Sequence, residues 1–261
     1  MLVKTRLGEA RRRLISSMCQ RQAPLGGRGP IVSFTFDDFP RTALTVGGKI
    51  LRSHGVRGTY YAAAGMMNTS NHLGDQFRAG DLGTLLRDGH ELASHTFSHV
   101  SCRVTSADRF RSDVAKGRRA IEELTGRRDS GNFAYPYGQV TLKTKRMVGQ
   151  DVVSSRGIVS GLNGPLADLN LLRANSLYGD LDTCAKVREL IIENEWRKSW
   201  LIFYSHDVSP IPSPYGCTPQ LLQFTVSFAS QGCARILTVA EVLSELTARV
   251  PDPNQPVAVS I

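Results

Sequence analysis

From Ile31 to about residue 250 the chain alternates short apolar runs with longer stretches patterned at helical spacing, a rhythm that belongs to an α/β fold built on a parallel sheet. The runs predict strands at Ile31–Phe36, Gly58–Ala63, Glu91–Ser94, Asn132–Tyr135, Asp151–Ser155, Leu171–Ala174, Trp200–Ser205 and Arg235–Thr238. The clearest helix follows Ser106, whose hydroxyl can cap free amides, and sets Phe110, Val114, Ile121 and Leu124 on one face. Residues 183–196, 219–229 and 239–249 read as similar helices. Seven or eight alternating units predict a closed or nearly closed barrel, and 261 residues can form it as a single domain over residues 30–250. Residues 1–29 are then a basic N-terminal extension and residues 251–261 a C-terminal tail.

A barrel of this kind gathers its chemistry at the C-terminal ends of its strands. Asp37 and Asp38 end the first strand, His95 and His99 follow the third, Pro136, Tyr137 and Gly138 follow the fourth, and His206 and Asp207 follow the seventh. Consecutive residues at a strand end point in different directions, so one aspartate can ligate a metal while the other faces substrate as a general base. Taken alone, the pair suits a turn or helix cap equally well. His95 and His99 are four residues apart, a spacing that brings both to one side of a helical turn and within reach of one cation. One Asp with two His makes three ligands and leaves positions open, as a catalytic metal site requires. Zinc suits this set best; cobalt, nickel, iron or manganese could occupy it. His206 is placed to protonate a leaving amine or alcohol. His54, His72 and His90 are given no role.

Four motifs in this order, Thr-Phe-Asp-Asp at 35–38, His-Thr-Phe-Ser-His at 95–99, Tyr-Pro-Tyr-Gly at 135–138 and Ser-His-Asp at 205–207, resemble the NodB-homology polysaccharide deacetylases, carbohydrate esterase family four. The resemblance implies a distorted (β/α)7-type barrel and removal of acetyl groups from N-acetylated or, less often, O-acetylated sugars. It also implies roles: Asp37 as general base, Asp38, His95 and His99 as ligands of a divalent metal, His206 as general acid, and Tyr137, after Pro136, lending its backbone amide to the oxyanion pocket. Three departures stand out. Phe39 replaces the usual glycine after the aspartates, an expected change beside the metal that would narrow the sugar cleft. Ala134 replaces the arginine that holds the base, with Arg173 the candidate substitute. The motif that orients the catalytic histidine is not recognisable, so the partner of His206 is open.

Charge and cysteines limit the alternatives. Residues 1–30 hold seven Lys or Arg against one acid, so six of the net nine positive charges sit at one end and the body is only mildly basic. That argues against nucleic acid as a partner. Residues 2–18 place apolar side chains at spacings of three and four opposite Arg11, Arg12 and Arg13, a helix that could touch an anionic membrane or pack on its own domain. Five widely spaced cysteines read as free thiols, and the N-terminus lacks a secretory pattern, so a cytoplasmic setting is expected, with membrane association through residues 2–18. The leading function is metal-dependent removal of N-acetyl groups from amino sugars of an oligo- or polysaccharide, with metal-activated water. An O-acetyl esterase, a non-carbohydrate amidase and a lapsed glycan-binding barrel remain as alternatives. Oligomeric state is not legible.

Overall fold

The computed structural model describes residues 12–247. Seven strands, β1 (Ile31–Asp38), β2 (Thr59–Ala62), β3 (Glu91–Ser94), β4 (Asn132–Ala134), β5 (Ser154–Arg156), β6 (Asn175–Ser176) and β7 (Trp200–Ser205), pair in parallel in the order β6-β7-β1-β2-β3-β4-β5. A short β8 (Arg235–Ile236) pairs with Ile31 and Val32 on the edge of β1 that β2 takes over from Thr35. The sheet curls toward closure. Leu172, three residues before β6, bridges Arg156 at the end of β5, and the backbone amide of Leu172 donates to Ser155 at 2.8 Å. This is the distorted (β/α)7-type barrel, in one domain.

The longer helices are α1 (Ala79–Arg87), α2 (Ala107–Thr125), α3 (Leu142–Asp151), α4 (Cys184–Arg197), α5 (Pro219–Gln231) and α6 (Val239–Thr247). Ser106 Oγ accepts from the Arg109 amide as anticipated, and α2 ends on Gly126 in the left-handed conformation at φ 63°. Its inner face, Phe110, Val114 and Ile121, is buried. Phe34, Phe36 and Phe203 on β1 and β7 join Val187 and Ile191 of α4 and Leu221, Leu222 and Val226 of α5 in one apolar layer. Each such side chain stabilises by about 1.5–3 kcal/mol, so apolar faces rather than helix propensity hold the layers.

Three boundaries differ from expectation. The strand expected over Asp151–Ser155 starts at Ser154 and reaches Arg156, because α3 continues through Asp151 before the chain turns. The strand expected at Leu171–Ala174 forms as β6 at Asn175–Ser176, with Leu172 serving as the bridge to β5. Residues upstream of Gly29 pack on the barrel: Gln22–Pro24 pairs antiparallel with Leu166–Asp168. The fully buried Lys145 ammonium pairs with Asp168 at 2.7 Å and donates to the carbonyls of Ile15, Ser16 and Met18 at 3.2, 3.0 and 2.6 Å, fastening the end of the helix at residues 12–17. Residues 1–11 and 248–261 lie outside the described residues, so the amphipathic face expected from residue 2 is described only from Arg12, where Ile15 is buried and Leu14 and Met18 are exposed. All five cysteines are free thiols. Among the described residues no helix is long and apolar enough to cross a membrane.

Candidate active site

The C-terminal ends of β1, β3, β4, β5 and β7 converge on a pocket of about 270 Å³ lined by Asp37, Asp38, His95, His99, Tyr137, Tyr204 and His206 among others. Asp38, His95 and His99 bring one ligand atom each within 4.8 Å of one another. Both imidazole Nε2 atoms point at Asp38 Oδ1, His95 from 3.3 Å and His99 from 2.9 Å. His95 Nδ1 lies 2.8 Å from the Ala134 carbonyl, which can only accept, so that nitrogen carries its hydrogen and Nε2 is left with a lone pair when the ring is neutral. Asp38 Oδ1 itself has no hydrogen-bond donor of satisfactory geometry although it is buried. Two nitrogen donors and an orphaned carboxylate oxygen facing one point fit a divalent cation better than they fit each other. Burial would raise the Asp38 carboxyl, but the two imidazoles hold it well below the usual carboxylate range, so it stays ionised as a ligand must be.

The His95–His99 pair does not sit on a helical turn. Thr96 and His99 adopt left-handed backbone at φ 65° and 52°, and the segment is an irregular bend. Strain of this kind needs outside support. α2 supplies it: the Asp113 carboxylate accepts from the amides of Phe97 and Ser98 at 3.1 and 2.9 Å. Gly117 comes so close that a Cβ there would meet the Thr96 carbonyl at 2.6 Å. Neither residue carries a motif, and sequence reasoning missed both.

Asp37 is held by Arg156, whose Nη2 donates to Asp37 Oδ1. The guanidinium is 1% exposed, its second nitrogen Nη1 donates to the Gly157 carbonyl at 2.9 Å, and its carbon stands 5.0 Å from the ring centroids of both Tyr61 and Tyr204. Burial works against its charge, but Asp37 and the tyrosines prevail and its pKa is raised, so it is a fixed cation. The substitute proposed from sequence, Arg173, does not have this place: its Nη1 donates to the Ser160 carbonyl at 3.1 Å. Arg156 was missed because the expected strand stopped at Ser155, one residue short.

The partner of His206 is also resolved. Its Nδ1 lies 3.1 Å from the backbone carbonyl of Tyr215, which fixes the hydrogen there and leaves Nε2 to exchange a proton. Asp207 shapes the loop that delivers this carbonyl, accepting from the Ser213 amide at 2.8 Å and receiving the Cys217 amide on its own carbonyl at 3.0 Å. Tyr137 takes φ 59° in the turn begun by Pro136, with its ring 4.6 Å from that of His99 and 59% exposed at the rim. Phe39 does not narrow the cleft. It accepts the left-handed φ of 62° where glycine would be at ease, and its ring is wholly buried, stacked 5.0 Å from Phe77 and tilted against Tyr60 at 5.0 Å. His72, given no role from sequence, lines the pocket with its ring 6.2 Å from Tyr215.

Comparison with known proteins agrees with this geometry. Residues 26–152 match the polysaccharide deacetylase family. A chitooligosaccharide deacetylase of Azorhizobium caulinodans is 24% identical over 108 residues, 41% of this chain and about half (48%) of the length of that protein. The Xyl-CE4 domain of a multidomain xylanase from the hindgut metagenome of Trinervitermes trinervoides has a similar fold, with TM-score 0.57 at 20% identity over 83% of this chain and 91% of that one. A family 4 acetyl xylan esterase from Clostridium thermocellum, solved with a cobalt ion, has TM-score 0.56 at 19% identity with the same coverages, 83% and 91%. The three motifs inside that match, at 35–38, 95–99 and 135–138, meet the Ser-His-Asp motif at 205–207 in one pocket of this barrel, so the chain is similar to the polysaccharide deacetylase family both in residues 26–152 and in the placement of its motifs.

Proposed function

We propose that this chain is a hydrolase that removes N-acetyl groups from amino-sugar residues of an oligo- or polysaccharide, with a divalent cation held by Asp38, His95 and His99. The observation that carries the reading is the pocket in which an arginine-held carboxylate, Asp37, stands beside that ligand cluster and an oriented imidazole, His206, shares the wall. Zinc suits the two nitrogens and one oxygen best. When bound, the cation supplies Lewis-acid polarisation of the acetyl carbonyl and of a water.

The remaining work falls to the chain's own groups. Asp37, with one oxygen committed to Arg156, takes the proton of the attacking water. His206 keeps its Nδ1 hydrogen on Tyr215 and hands a proton from Nε2 to the leaving amine, which without it departs poorly. The backbone amide of Tyr137 serves the carbonyl oxygen as negative charge develops there. The exposed rings of Tyr137 and Tyr215 offer flat faces to a sugar at the mouth.

Acetate release from N-acetylated chito-oligosaccharides tests this, using metal-stripped protein with zinc, cobalt or nickel restored and Asp37→Asn alongside. Metal-dependent release abolished by Asp37→Asn is the expected result. Release from O-acetylated xylan alone would move the assignment to an esterase, and no release from either with any metal would overturn it.

A further inference from the structure

The catalytic pocket does not end at its own rim. Gly138 and Ile158 line both it and a crevice of about 10 Å³, room for a single water, whose wall includes Arg12. Beyond lies an outer hollow of about 180 Å³ walled by Arg12, Arg13, Ile158, Val159 and Ser160. Ile158 borders all three spaces, so the outer hollow and the pocket are separated by about one side chain.

The outer hollow is charged in one sense. Among the described residues, two of its five walls are guanidinium groups and none is a carboxylate. A third guanidinium, that of Arg173, donates to the Ser160 carbonyl that forms part of the same wall. The backbone that carries Arg12 and Arg13 is held in place by the fold. Residues 12–17 are helical, Ile15 is buried, and Lys145 binds the carbonyls at the end of that helix. The field of Arg12 reaches the pocket as well: burial raises the Tyr204 phenol, and Arg12 is the smallest of the charges that draw it back.

We propose that this hollow is an anion subsite, in which Arg12 and Arg13 bind a phosphate or carboxylate on the sugar next to the one being deacetylated. Guanidinium forks match both oxyanions in geometry and charge, and a recess presents them to one discrete group rather than to a plane. The inference rests on the deacetylase reading for its substrate, and on the hollow alone for its ligand.

The test compares kcat/KM for a neutral N-acetylated chito-oligosaccharide with that for oligosaccharides of the same length carrying a phosphate or a uronic acid next to the acetylated residue. It uses the full chain with metal at low salt, with R12Q/R13Q and, as a charge-matched control, R109Q/R119Q on the exposed face of α2. The wild type should prefer one anionic substrate by about tenfold or more, the control should keep that ratio, and R12Q/R13Q should bring it near one. Equal use of neutral and both anionic substrates, or a preference that survives R12Q/R13Q, would overturn the subsite. Loss of preference in both double variants would reduce it to long-range steering. Titration of inorganic phosphate and of glucuronate by calorimetry separates the two readings. If no substrate turns over but one anion binds the wild type and not R12Q/R13Q, the subsite stands and the deacetylase reading falls; absence of binding by both anions removes the subsite.

Discussion

Ala134 and Arg156 are direct partners in the register of β4 and β5, so the guanidinium that holds Asp37 springs from the level of the barrel where the family's arginine would stand, one strand over. An arginine side chain is long enough to reach the same carboxylate from either strand, and the small Ala134 leaves it room. Arg156→Ala should lower kcat/KM by about 10²-fold or more and destabilise the fold by about 3–5 kcal/mol, because Asp37 is left buried without its cation. The double variant Arg156→Ala with Ala134→Arg should recover part of both losses, whereas Arg173→Ala should turn over at close to the wild-type rate. Steady-state kinetics with denaturant unfolding on the four proteins read this out, and a double variant no better than Arg156→Ala would refute interchange between the strands.

Metal affinity should depend on all three ligands and leave a trace in stability. Binding to the folded state alone stabilises by about 2.7 kcal/mol at a hundredfold excess over Kd. Zinc should therefore raise the melting temperature of the wild type by several degrees and that of His99→Ala by much less, measured by calorimetry with bound metal counted by mass spectrometry. Equal zinc-induced shifts in both would remove His99 from the ligand set.

Gly117→Ala probes the floor beneath the ligands. The added Cβ would press on the Thr96 carbonyl at 2.6 Å and the Phe97 amide nitrogen at 2.8 Å, both backbone atoms that cannot swing aside. Overpacking of this kind costs about 1–3 kcal/mol, and the bend bearing His95 and His99 is what moves. Zinc affinity and turnover should fall at least tenfold while the far-ultraviolet spectrum is retained; unchanged zinc affinity would show that the bend is not set by α2.

His90 governs a different property. Its ring is buried, accepts the Gly58 amide at Nδ1 from 3.0 Å, and leaves Nε2 without a partner. Burial lowers its pKa to about 4, below the 6.5 of an ordinary imidazole. The unfolded chain therefore binds this proton first, so stability is complete above pH 6.5 and is lost as pH falls from 6.5 toward 4, by about 3 kcal/mol at most. Denaturant unfolding at pH 7 and pH 4.5 should show a smaller difference for His90→Gln than for the wild type; parallel pH profiles would assign the acid sensitivity to other groups.

Asp207 offers a way to disturb the proposed acid, His206, without touching the proposed metal ligands. Asp207→Ala frees Ser213 and loosens the loop carrying Tyr215, so His206 loses the carbonyl that fixes its hydrogen. A tenfold or greater fall in kcat with unchanged zinc affinity is expected. Substrates with a good leaving group, such as an aryl acetate, should lose less, and an equal loss on both substrates would mean that His206 is not acting on the leaving group.

The sequence by itself determined the barrel rhythm, the motif residues and their placement at strand ends, because those follow from short-range patterning and from residue types that must be polar where a strand stops. Asp37, Asp38, His95, His99 and His206 were all visible in this way, and all face one pocket. Tertiary structure decided what holds them. Arg156 reaches Asp37 across 119 residues of chain, Asp113 and Gly117 fix a bend that looked helical by spacing alone, and the Tyr215 carbonyl that orients His206 has no side-chain signature at all. Such supports depend on which atoms the register and the helix packing bring within about 3 Å, and a single-residue error at the end of one predicted strand was enough to hide the most important of them.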